Sequence, residues 1–123
     1  MKILIDAMSG DNAPLEILKG AEAAAKEFKE HTIILVGDEN VISDIAVKNE
    51  IKLDGIEIIH AASVITMEDS PLSVVRDKRD SSMSVGFKTL AKGEVDAFVS
   101  AGNTGALITG ATIIVKRILG INR

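Results

Sequence analysis

Four short, mostly apolar runs recur along the chain, Lys2 to Ile5, Thr32 to Val36, Ile56 to Ile59 and Val95 to Val99, and no other feature constrains the fold as tightly. A run such as Ile33-Ile34-Leu35-Val36 has no polar alternation, so both of its faces must be buried, which is the condition of a strand inside a parallel sheet covered by helices. The first, second and fourth runs lead into helix-like segments. Alternation of that kind selects the α/β class. With 123 residues the chain can bury roughly two-thirds of its unfolded surface, enough for a core without covalent staples.

The segments between the runs read as amphipathic helices. The first begins at Pro14, where a missing N–H costs nothing, and extends to about Lys29, with Leu18, Ala21, Ala25 and Phe28 facing the sheet. A second follows Gly37-Asp38 and turns Ile42, Ile45 and Ala46 inward. A third starts at Ser81 or Ser82, ends near Gly93 and buries Val85 and Leu90. The fourth follows Asn103-Thr104-Gly105 and runs through Leu107, Ile108, Ala111, Ile114, Val115 and Ile118; apolar on nearly all sides, it is expected to be packed on most of them. Ala61 to Asp80, with Pro71 and the charge run Arg76-Asp77-Lys78-Arg79-Asp80, reads as a loop long enough to be functional.

Several function classes are disfavoured at once. A net charge of −4, no Trp, no Tyr and three Phe give neither a basic groove nor stacking platforms, so nucleic acid is not an expected partner. Zero cysteines remove disulfides, thiolate metal sites and a thiol nucleophile. His31 and His60 lack metal-ligand spacing, and neither a metal nor an organic cofactor is expected. Glu68 and Asp69 are adjacent, which points them apart and makes them a poor acid/base pair. The uncharged stretch Ala97 to Val115 is broken by Ser100, Gly102, Asn103, Thr104 and Gly105, so it reads as strand, loop and buried helix rather than a membrane span.

In parallel sheets ligands bind beyond the carboxyl ends of strands, where loops enter helices. Three segments fit that position. Asp6-Ala7-Met8-Ser9-Gly10-Asp11-Asn12-Ala13-Pro14 carries a glycine able to take positive φ ahead of a helix. Ser100-Ala101-Gly102-Asn103-Thr104-Gly105-Ala106 has two glycines for close backbone approach, and its peptide N–H groups can meet an anion. Arg76 to Ser84 sets Arg and Lys before hydroxyls at a helix start. Each is also readable as ordinary turn and cap chemistry or as a solvated charge run. None matches a dinucleotide or nucleoside-triphosphate fingerprint.

Taken together, these three segments, with Asp69-Ser70-Pro71 leading into the third, resemble the N-terminal part of the bacterial phosphate acyltransferases, the PlsX family, over Met1 to Arg123. Ser9 departs from the pattern, where a second glycine is usual, and the family's chains are considerably longer. The resemblance implies a three-layer α/β/α fold with a mainly parallel sheet, similar to isopropylmalate dehydrogenase-like folds, of which residues 1–123 form the N-terminal part and not the whole. It implies transfer of a long-chain acyl group from acyl-carrier protein to inorganic phosphate, supplying phospholipid synthesis, by a cytoplasmic homodimer in peripheral contact with the membrane. A phosphate nucleophile spares the protein any nucleophile of its own; what it needs is anion positioning and oxyanion donors. Asn103, Thr104 and Lys78 are the expected catalytic residues. Gly10, Asp11, Arg76, Ser81, Ser82, Gly102 and Gly105 are expected to bind phosphate or substrate, and Asp6 to orient loops. The segment by itself is not expected to be catalytically competent. The alternatives are a non-catalytic phosphate- or anion-binding α/β module and, more distantly, a nicotinamide-dependent dehydrogenase lacking its glycine fingerprint.

Overall fold

The computed structural model describes residues 1–120; residues 121–123 of the expected segment lie outside the described residues. Four parallel strands, β1 (Lys2–Asp6), β2 (Thr32–Gly37), β3 (Glu57–His60) and β4 (Ala97–Val99), form one sheet in the order β3-β2-β1-β4. Alternate residues of β2 feed opposite faces. Ile33 and Leu35 join Leu18 and Ala21 of α1 (Leu15–Glu27) and Ile42 and Ala46 of α2 (Glu39–Lys48) in one core. Ile34 and Val36 join Leu4 and Val95 in a second core, against which Val85, Leu90 and Phe98 pack; the first two of these come from α3 (Ser82–Ala91). Helices on both faces make the three layers.

Local chemistry explains the boundaries. Asp38 caps α2 by accepting from the N–H groups of Asn40 and Val41, and Ser81 caps α3 by accepting from Ser84 N–H. Pro14 takes the N-cap of α1 rather than its first turn. At the other end α1 stops at Glu27. Phe28 adopts φ −109° and ψ 65° as the C-cap, which turns its ring off the helical stripe and leaves it 45% exposed instead of against the sheet.

The last helical segment departs furthest from expectation. α4 (Thr104–Gly110) passes into a wide π-type turn, Ala111–Val115, and Ile118 lies beyond both. Ala106 is buried and Leu107, Ile114 and Val115 pack on a third core around Met83, Phe87, Val74 and Ile65. Ile108 and Ile113 are exposed. One side of the segment packs because Gly110 lets the backbone approach the Phe87 ring, where an added Cβ would lie 2.4 Å from Cδ2; among the described residues nothing covers the other side. Ala61 to Asp80 is also more ordered than a plain loop. It contains a 3-10 turn, Pro71–Val74, capped by Ser70, and a bridge between Ser63 and Ser81.

Gly20, on the exposed face of α1, has nothing within 4 Å of an added Cβ. Gly20→Ala should therefore stabilise the fold by about 0.5–1 kcal/mol through backbone entropy alone, read as a raised denaturation midpoint at unchanged m.

Candidate functional site

The strand order reverses at β1. The chain moves outward from β1 to β2 and β3 on one side and returns to place β4 on the other. A crevice must open beyond the carboxyl ends of β1 and β4, because their loops diverge to helices on different faces. There the structure has a cavity of about 560 Å³, lined by Met8–Asp11 after β1, Ala101–Asn103 after β4 and Val64–Met67 from the long connection.

Asp6 joins the first two walls. It is buried at the end of β1, and its carboxyl accepts from Ser9 Oγ, from Ser100 Oγ at 3.0 Å and from Met8 N–H at 3.1 Å. Ser9, in the place of an expected glycine, thus supplies one of the donors that hold its own loop. Gly10 (φ 111°) and Gly102 (φ 146°) occupy backbone regions that favour glycine, and both line the cavity without a Cβ, Gly10 exposed and Gly102 buried in the wall.

Asn103 closes the third side. Its Oδ1 caps α4 by accepting from Ala106 N–H at 3.2 Å, while Nδ2 donates to the carbonyls of Thr66 and Asp69, each at 3.1 Å. The side-chain amide is thereby committed to the protein, and what Asn103 offers a ligand is its place in the wall.

Of the expected site residues, Gly10, Asp11, Gly102 and Asn103 line the cavity. The others stand elsewhere. Lys78 is half-buried behind the wall, its Nζ donating to Asp69 Oδ2 at 2.6 Å and to the Val64 carbonyl at 2.8 Å. Arg76 points to solvent. Ser81 and Ser82 are fully buried, the first as a helix cap, because the bridge to Ser63 draws the start of α3 inward. Thr104 is exposed in the first turn of α4, and Gly105 serves packing: an added Cβ would lie 2.8 Å from Pro71 Cγ. The expectation that Arg76, Lys78, Ser81 and Ser82 share the cleft is not met, and among the described residues no Lys or Arg lines the cavity.

No motif marks Val64, Ile65, Thr66 or Met67 as site residues. Their one signal is that they lie in the irregular segment too long to be a simple connection. Asp69, a poor acid/base candidate, works instead as an anchor. Its carboxylate accepts from Thr66 N–H at 2.7 Å and Thr66 Oγ1 at 3.1 Å as well as from Lys78.

The hydrogen bond from the Lys78 ammonium, followed by that from Thr66 N–H, holds the Asp69 carboxyl below its usual range. A carboxyl with a lowered native pKa stabilises the fold fully above its unfolded value, about 3.9, and loses that contribution as pH falls through the lower native value. The stability gap between the wild-type chain and Lys78→Met should accordingly narrow as pH falls below about 4 in urea titrations. A gap independent of pH would remove the ion pair as its source.

Comparison with known proteins gives a consistent result. The family model described as "Fatty acid synthesis protein" matches residues 1–123. Over its whole length the chain is 46% identical to a phosphate acyltransferase of Caldicellulosiruptor bescii, 48% to one of Acetivibrio thermocellus and 50% to one of Thermotoga maritima. It spans 37%, 36% and 34% of the length of those relatives, respectively.

Proposed function

The chain belongs to the fatty acid synthesis protein family, and from that premise we propose that it forms part of the site of an acyl transfer from acyl-carrier protein to inorganic phosphate. The observation that carries the reading is the cavity at the β1/β4 reversal, walled by two glycine turns that present backbone rather than side chain to it. In the step proposed, a phosphate oxygen attacks the thioester carbonyl, negative charge develops on the carbonyl oxygen, and the C–S bond then breaks to release the carrier thiolate and an acyl phosphate. Peptide N–H groups at Gly10 and Gly102 are suited to meet the developing oxyanion, since such donors are most effective when held in place beforehand. Asp6 holds the two turns at a fixed spacing.

Because no cationic side chain among the described residues lines the cavity, the charge of phosphate is offset in this reading by residues of the family-length protein beyond this segment. The same reading includes a homodimer, a cytoplasmic location and peripheral contact with the membrane. No helix among the described residues is long and apolar enough to cross a membrane.

The test is phosphate-dependent thiol release from acyl-carrier protein by the full natural chain, with the acyl phosphate identified by mass. Release without phosphate would indicate a thioesterase. Saturable phosphate binding with no release would favour an anion-binding module.

A further inference from the structure

The Val64–Asp69 wall of the cavity is pinned from outside by side chains that do not reach the cavity. We propose that Lys78 and Asp69 are positioning residues for the proposed reaction: together they latch this wall in place against the Asn103 turn. The inference rests on the function proposed above.

Lys78 commits two of its three N–H donors to this segment, one to the Val64 carbonyl and one to the Asp69 carboxylate. The carboxylate passes the constraint back along the chain by accepting from both the N–H and the hydroxyl of Thr66. Three points of the segment, Val64, Thr66 and Asp69, are therefore fixed by one ion pair. Asn103 grips the same segment from the opposite side through the carbonyls of Thr66 and Asp69, and its Oδ1 ties the assembly to the start of α4.

The base of the latch is itself anchored. Lys78 N–H donates to the Ser73 carbonyl at 2.8 Å, and the Lys78 carbonyl accepts from Ser81 N–H at 3.1 Å, which sets it between the Pro71–Val74 turn and the cap of α3. Thr66 and Met67 are thus registered to the sheet's helical layer through charge-assisted hydrogen bonds, a geometry that a flexible loop would not keep. A lysine that swung to meet phosphate would leave the Val64 carbonyl without its donor and the Asp69 carboxylate without its counter-ion. Asp69 carries the same sign of charge as the substrate and has no direct attraction to offer it. Any effect of Asp69 on turnover must therefore pass through the wall.

The experiment compares Lys78→Met, Asp69→Asn, the double variant and Lys78→Arg in the full natural chain, measuring kcat and KM for phosphate-dependent thiol release and amide exchange at Thr66. Both single variants should lower kcat/KM on the order of ten- to a hundredfold, the scale of a misplaced site, and speed Thr66 exchange. The double variant should be no worse than either single one, since both remove one shared interaction. Lys78→Arg, which can still bridge the carboxylate, should recover most of the activity.

Collapse of activity in Lys78→Met with normal activity in Asp69→Asn would overturn the proposal in favour of direct contact by the lysine. Unchanged kcat/KM in both, at temperatures where the fold is intact, would reduce the latch to a stabilising contact. An inactive wild-type chain would refute the proposed function and the positioning role with it, a result distinguishable from the others; Thr66 exchange would still report whether the latch holds the wall.

Discussion

Asp6→Ala is expected to lower stability by about 2–4 kcal/mol and to abolish the cavity's shape at the same time. The carboxyl is buried and serves three donors, Ser9 Oγ, Ser100 Oγ and Met8 N–H. Deleting it removes the acceptor of all three donors, of which Ser9 is itself buried, and the cost of an unmade buried hydrogen bond exceeds the net gain of a made one. Calorimetry should show a melting temperature lower by roughly 10 °C. Because Ser9 follows β1 and Ser100 follows β4, the loss should also raise amide exchange in both loops at once. Exchange confined to the first loop would mean that Asp6 does not couple the two. Asp6→Asn separates the hydrogen-bond requirement from volume: its NH2 group can only donate, so it must face a donor and should recover only part of the loss.

Gly86→Ala is expected to be the second large effect, opposite in sign to Gly20→Ala although both glycines lie inside helices. Alanine gains about 1 kcal/mol of helix propensity at either position. At Gly86, however, the added Cβ would lie 2.3 Å from the Phe98 ring. Phe98 cannot simply withdraw, because it packs edge-on against Phe87 with ring centroids 5.2 Å apart, and Phe87 in turn lies under Gly110 of α4. Overpacking of this kind typically costs about 1–3 kcal/mol, and with a ring held on its far side the upper part of that range applies, so a net loss of up to about 2 kcal/mol should be read from urea unfolding. A stabilised Gly86→Ala variant would show that α3 can move off β4 without loss.

Much of the frame is legible in local chemistry. Ile33 to Val36 reads as a strand buried on both faces and is one. Asp38 and Ser81 start the helices they cap, and Pro14 marks the entry to α1. These features depend on neighbours within four residues. Phe28 and Ile118 are misread for the complementary reason. Their apolar character continues a helical stripe, yet the backbone leaves the helix before either side chain can join it.

The site divides along the same line. Gly10, Asp11, Gly102 and Asn103 stand beside the cavity because glycine turns at strand ends face the crevice of any parallel sheet. Ser81, Ser82 and Lys78 carry equally suitable chemistry that their surroundings take up, while Arg76 stands exposed away from the cavity. The bridge to Ser63 buries the serines, and Asp69 claims the lysine. Asn103 is a mixed case, in the wall as expected while its amide is bound to two carbonyls that lie 34 and 37 residues away.

By itself, then, the amino-acid sequence determined the α/β class, the strands, the helix starts and which loops could meet a ligand, because hydrophobic patterning and capping act over one or two turns of chain. Only the tertiary structure decided that β4 returns beside β1, that Asp6 couples their loops, and that Lys78 faces Asp69 rather than the cavity. Those outcomes turn on hydrogen bonds between residues up to 94 positions apart. A polar side chain announces what it can bind, but the partner that satisfies it is chosen by packing.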